Sequence, residues 1–173
     1  MSITLHSASV ETYLQTLPAI AGLIDKAESW CKERSLPDSA LTEARLAADM
    51  WPFAKQVMVV AAHSEGTIRA LGGGEFGPDL APPPSDFATL RETIAGAIAY
   101  LRSVDPAEVD ARAGATMDFV FGERRLPFTA ETFILSFSLP NFFFHASIAF
   151  AILRNQELPV GKGDFLGAMR MRG

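Results

Sequence analysis

Apolar residues recur at three- and four-residue spacings in four segments of this chain, and this helical period constrains the fold more than any other feature. The segments cover residues 7–33, 47–72, 86–104 and 130–155. Helix-capping side chains precede three of them: Ser7 or Ser9, Ser85 or Asp86, and Thr129. Amphipathic helices bury their apolar faces against one another, so the pattern predicts an all-α four-helix bundle. We expect more than about half of the residues to be helical.

Two stretches interrupt the helical pattern. Residues 72–84 are rich in glycine and proline and predict a loop. Residues 113–128 change to an alternating pattern, in which Thr116, Asp118 and Val120 alternate with apolar neighbours. This pattern predicts a small β-hairpin before the fourth helix, turning at residues 122–124. Neither side of the glycine- and proline-rich loop can build its own core, so we expect one domain over residues 1–173.

Charge and cysteine content exclude several classes of protein. The formal net charge is −5 and no run of five or more basic residues occurs, so we expect no nucleic-acid partner. Cys31 is the single cysteine and cannot form an intramolecular disulfide, which indicates a reducing compartment. Residues 1–11 contain no Lys or Arg and no long apolar stretch, unlike a signal peptide. We therefore expect a cytoplasmic protein.

The fourth segment is unusually apolar, because residues 132–153 carry no charge. Pro140, Asn141 and His145 interrupt it, so we expect no membrane insertion and place this helix in a core or at a subunit interface. The chain has 13 phenylalanines, three of them adjacent at 142–144, and one helix face cannot bury all three. We expect a homodimer that uses part of the fourth helix or the hairpin.

Two histidines fall inside predicted helices on faces that point inward. His145 follows Asn141 by one turn, and His63 follows Gln56 by seven residues, so each pair shares a helix face. We expect His63 and His145 to approach each other, with Asn141 the nearest hydrogen-bonding candidate for His145 and Gln56 another. The pocket could hold a metal, act without one, or contain two histidines that only pack.

Three groups of residues resemble the family called domain of unknown function 1993, which looks distantly similar to DinB/YfiT-like bundles. The groups are RLAADM at 45–50 with Pro52, Phe53, Gln56, Val57 and His63; LPNFFFH at 139–145 with AILR at 151–154; and VGK at 160–162 with DFL at 164–166. The resemblance implies an up-down-down-up four-helix bundle. Related bundles bind a divalent metal such as zinc or nickel through one histidine of the second helix and two of the fourth, and some transfer low-molecular-weight thiols.

On that resemblance His63 and His145 are the implied metal ligands, and Asn141 occupies the position of a third. The first functional hypothesis is a small-molecule enzyme, metal-dependent or not, that uses an interior pocket formed by His63, Asn141, His145 and Gln56. The alternative is a non-catalytic ligand-binding or dimeric interaction protein in which the histidines are structural.

Overall fold

The computed structural model describes residues 3–171, of which the long helices form the framework. The helices are α1 (Leu5–Glu33), α2 (Ser39–Thr42), α3 (Phe53–Ala61), α4 (Thr67–Ala70), α5 (Phe87–Ser103), α6 (Pro106–Asp110), α7 (Ala130–Phe133), α8 (Leu139–Asn155) and α9 (Lys162–Leu166). Helix accounts for 62% of the chain, so the prediction of a mostly helical fold is confirmed. Helix α3 packs against α8 and α5, and α1 packs against α5.

Two of the long helices contain a π-helical turn. The first π turn, Ala62–Gly66, joins α3 to α4, and the second π turn, Ile134–Ser138, joins α7 to α8. Residues 130–155 therefore form one continuous helical run, where the sequence predicted two pieces separated near Pro140. Each π turn adds a residue to its turn and so rotates the side chains that follow, and such turns are common at functional sites.

Helix ends follow the predicted capping in two of three cases. Asp86 accepts a hydrogen bond from the backbone N–H of Thr89, and Thr129 accepts one from Thr132. The first prediction is wrong, because Thr4 caps α1 and the helix begins at Leu5. The predicted start of the second long helix, between Ala47 and Pro52, ends one residue before the observed start at Phe53.

A three-stranded sheet accompanies the helices, so the fold is not strictly all-α. The predicted hairpin is present as antiparallel strands β2 (Thr116–Phe121) and β3 (Arg124–Thr129). The sequence did not predict β1 (Glu75–Phe76), which pairs with β2 in parallel. Gly74 turns the chain into β1 with φ at +73°, and its carbonyl accepts a hydrogen bond from the N–H of Asp118. Phe76 thereby reaches the interior, next to His63.

A buried hydroxyl network connects the two π turns. The Ser138 hydroxyl donates to the carbonyl of His63 at 2.7 Å. With its one proton used in this way, Ser138 Oγ accepts from Thr67 Oγ1 at 2.7 Å and from Tyr13 Oη at 3.1 Å. Burial raises the pKa of Tyr13 far above its usual value, so its phenol stays protonated and donates. The network fixes the backbone of His63 relative to α8.

Replacing Ser138 by valine is therefore expected to destabilise the fold by about 2 kcal/mol or more, because it leaves the His63 carbonyl and two hydroxyls without their partner. Ser136→Ala is the matched control in the same turn, since the exposed Ser136 hydroxyl bonds only the Thr132 carbonyl. Urea unfolding of both variants measures the difference, and the control is expected to change by less than about 0.5 kcal/mol. Equal effects at both positions would show that the network does not hold the two turns together.

Candidate active site

The first π turn places His63 in an aromatic enclosure between helices. Its ring lies 5.1 Å from the ring of Phe76 and 5.6 Å from that of Phe137, measured between centroids. The side chain is buried, and its Nδ1 atom has no hydrogen-bond partner among the described residues. A buried nitrogen without a partner costs about 1–3 kcal/mol, so stability alone does not explain a histidine here.

Helix α8 places His145 beside His63, with ring centroids 6.4 Å apart and ring planes within 11° of parallel. His145 Nδ1 lies 2.6 Å from Gln56 Oε1, while Gln56 Nε2 donates to the carbonyl of Trp51 at 3.0 Å. Because the amide nitrogen is the donor to Trp51, Oε1 is the atom that faces the imidazole and must accept. Nδ1 of His145 therefore carries the proton, and Nε2 carries a lone pair.

Two half-exposed aromatic side chains cover His145. The indole of Trp51 stacks on its imidazole at 5.6 Å between centroids, and Phe144 meets it edge-on at 5.1 Å. His145 itself is 7% exposed, whereas Trp51 is 48% exposed. Trp51 lies just before α3, in the connection that follows α2, so a displacement of this side chain would open the site without moving a long helix.

Both imidazoles are neutral at physiological pH. Burial lowers the pKa of His145 from 6.5 to about 4. Burial also lowers the pKa of His63 to about 4, and the neighbouring His145 adds a smaller effect in the same direction. The site therefore offers lone pairs rather than positive charge, and it can accept protons or hydrogen bonds.

Comparison with known proteins places the chain in a family. The model of the family described as domain of unknown function (DUF1993) matches residues 5–166. The chain belongs to the DUF1993 family. Among solved structures, a DinB family member protein from Shewanella denitrificans is similar, with a TM-score of 0.81 and 27% sequence identity. That likeness covers 98% of this chain and 95% of the other. No curated protein matches the chain.

In this DUF1993 protein, three of the four predicted site residues contact one another, and the fourth, Asn141, forms its hydrogen bond elsewhere. His63, His145 and Gln56 are adjacent, but Asn141 Nδ2 donates to the carbonyl of Phe137 at 2.7 Å. The expectation that Asn141 would be the nearest partner of His145 is therefore wrong. An asparagine within a helix can bond the carbonyl one turn earlier, and this local partner outcompetes the imidazole.

The donor set does not complete the metal site that the resemblance to DinB-like bundles implies. Catalytic zinc uses three protein ligands, and here the candidates are two imidazoles with a neutral amide at position 141. Two imidazoles on one tetrahedral zinc place their centroids about 5 Å apart, closer than the 6.4 Å between His63 and His145. Among residues 3–171, no group of three or more His, Cys, Asp or Glu side chains is placed to hold an ion.

Three features of the site in this DUF1993 protein were not predicted from the sequence. Trp51 fell in a segment interpreted as the start of the second helix, where nothing indicated a covering residue. Phe76 reaches the site through the short strand β1, whose two residues are too few to show a period. The π turns were not predicted, because apolar residues spaced three or four positions apart do not distinguish a π turn from an α-helix. Only the proximity of Trp51 to Gln56, five residues apart, could have indicated its contact with the site.

Proposed function

We propose that the protein is a small-molecule enzyme that works without a metal, with Nε2 of His145 as the proton acceptor. The observation that carries this proposal is the hydrogen bond from His145 Nδ1 to Gln56 Oε1, itself fixed by the bond from Gln56 to the Trp51 carbonyl. An imidazole held in one tautomer by an oriented partner presents its other nitrogen in a defined direction. General bases are commonly oriented in this way.

The surroundings of the two imidazoles indicate the class of ligand. Their ring and hydrogen-bonding neighbours are uncharged: Gln56, Trp51, Phe76, Phe137 and Phe144. A charged ligand would lose its hydration here without gaining an opposite charge. We infer a small, uncharged and partly aromatic ligand that carries a weakly acidic O–H or S–H group.

The chemistry follows from the neutral state of His145. The ligand's O–H or S–H donates to Nε2, and its proton moves to this nitrogen as the oxygen or sulfur adds to a polarised double bond of a second substrate. The electron pair of that double bond moves to its far atom, which then takes the proton from Nε2. The imidazolium that forms keeps its Nδ1–H bond to Gln56, which orients the ring throughout. The lowered pKa of His145 keeps Nε2 unprotonated before the reaction, and the imidazolium readily gives the proton up afterwards.

A divalent metal such as zinc or nickel is not part of this proposal, because two imidazoles and an amide make a weak donor set.

We also propose that the chain forms a single up-down-down-up four-helix bundle. Its four members are α1, α3 with α4, α5, and α7 with α8. The packing of α3 on α8 and of α1 on α5 supports this arrangement. A reducing, cytoplasmic location is part of the same proposal, and the single buried thiol of Cys31 is compatible with it.

Phenol and anisole are matched probes for this function, since they share an aromatic ring and only phenol has an O–H. In a Trp30→Phe background Trp51 is the only tryptophan, and its fluorescence reports occupancy beside His145. We expect saturable quenching by phenol, binding about tenfold or more weaker for anisole, and loss of the phenol response in His145→Phe. Equal binding of the two probes, or an unchanged response in His145→Phe, would refute the assignment of Nε2 as the acceptor.

A further inference from the structure

One long face of the fourth helical run is apolar, uncharged and exposed. Leu135 and Phe144 are each 55% exposed, Phe143 is also exposed, and Ser147 continues the same side of the helix. We call these four residues the α8 face. The run Ala130–Asn155 is long and apolar enough to cross a membrane by length and composition, yet only 39% of its most apolar window is buried. Solvent-exposed apolar surface of this extent usually marks an interface.

We propose that the α8 face pairs with the same face of a second copy to form a symmetric homodimer. The distribution of charge favours a second copy as the partner of this face. The chain carries a net charge of −5, so most arrangements of two copies bring like charges together, whereas residues 132–153 contain no charged side chain. Two α8 faces can therefore meet with little repulsion, because the carboxylates of Asp110 and Glu131 border the face only beside Leu135, at one end. An isologous pair also needs only one self-complementary patch.

The hairpin is the other surface that the sequence suggested, and its outer edge is unsuited to pairing. Strand β3 forms the edge of the sheet, and Pro127 within it cannot donate a backbone hydrogen bond. Arg124 and Arg125 also lie on this strand, and Arg125 bonds Glu75 and Asp118 on the neighbouring strands. Charged residues and proline protect sheet edges from association. The α8 face is thus the surface that we assign to the dimer.

The face borders the site described above, because Phe144 contacts the edge of the His145 ring. The dimer does not depend on the proposed chemistry, and its test requires no ligand. Light scattering coupled to gel filtration at micromolar protein is expected to give twice the chain mass of 18.7 kDa. Leu135→Glu and Ser147→Glu place a charge at either end of the α8 face, inside the proposed interface, and each is expected to halve the measured mass. Ser147 is already polar and exposed, so its replacement preserves the core.

Leu126→Glu on β3 is the matched control, since Leu126 is 49% exposed but lies on the hairpin. This variant is expected to remain dimeric, with circular dichroism confirming that all three variants are folded. A monomeric parent overturns the proposal, and so does dissociation by Leu126→Glu with retention of the dimer by Ser147→Glu. Flotation of the parent with phosphatidylcholine vesicles, lost in Ser147→Glu, would also overturn it, because it would identify a lipid surface as the occupant.

Discussion

Replacing Asn141 by histidine is expected to raise the affinity for zinc by about a hundredfold or more over the parent chain. A histidine at 141 and His145 are four residues apart on α8, the spacing at which two helical imidazoles bind one ion. Nε2 of His145 is already unprotonated, and the Nδ1–H bond to Gln56 orients the ring. Histidines that ligate metals are usually oriented by such a bond from their other ring nitrogen. His63 from the neighbouring helix then supplies the third nitrogen after an approach of about 1 Å.

Titration calorimetry with zinc alone measures this gain in the parent, Asn141→His, Ser147→His and the double variant Asn141→His/His63→Phe. The Ser147 variant adds a histidine on the exposed side of the same helix and is expected to bind no better than the parent. The double variant is expected to lose most of the gain, because it removes the ligand from the second helix. If zinc binds Asn141→His no better than the parent, the three positions do not converge on one point.

Acidification between pH 6.5 and pH 4 is expected to remove up to about 3 kcal/mol of folding stability for each buried histidine. In the folded chain His63 and His145 have a pKa of about 4, below the ordinary value of 6.5. Within this window the unfolded chain binds protons that the folded chain does not, so the free energy of unfolding falls as the pH falls. Below about pH 4 both states bind the protons and the histidines cause no further loss.

Carboxylates with lowered pKa act in a lower pH range, which separates the two effects. Glu28 and Asp164, for example, have their pKa lowered by Lys32 and Lys26, respectively, and their contribution is complete above the unfolded values of 4.5 and 3.8. Loss of stability between pH 6.5 and 5 is therefore specific to the histidines. Urea unfolding at half-unit pH intervals measures it.

His63→Phe is the informative variant, because Nδ1 of His63 has no partner to lose. Phenylalanine fits the aromatic environment of Phe76 and Phe137, so stability at pH 7 is expected to be unchanged or higher. The dependence of stability on pH above 5 is expected to fall by about half. A slope equal to that of the parent would mean that His63 titrates at its ordinary pKa and is not buried as described.

The sequence was sufficient to predict the helical framework and the approach of two distant histidines. Each histidine occupies the inward position of an amphipathic segment, and such positions on neighbouring helices meet in a core. The hairpin was predictable for a similar reason, since the six residues of β2 are enough to show an alternating pattern and a turn follows them. Long, regular elements bury one face, and the buried face leaves a period in the sequence.

Local competition between partners decided the remaining details of the site. Asn141 could bond His145 or the carbonyl of Phe137, and both lie one helical turn away, so spacing did not distinguish them. The two π turns are linked by the Ser138 hydroxyl, which meets Thr67 and Tyr13 from other helices. Trp51 reaches His145 from a connection, where side-chain direction follows no period. Such choices depend on tertiary contacts between residues far apart in the chain.

The position of the ring proton of His145 decides whether Nε2 can act as the proton acceptor. Long-range nitrogen-15 NMR of histidine-labelled protein at pH 7 distinguishes protonated from unprotonated ring nitrogens, and His145→Phe assigns the signal. We predict that Nδ1 of His145 is protonated and Nε2 is not, and that Gln56→Leu, which removes the acceptor of the Nδ1–H bond, produces a mixture of both tautomers. A His145 that carries its proton on Nε2, or on both nitrogens, at pH 7 would rule out Nε2 as the proton acceptor.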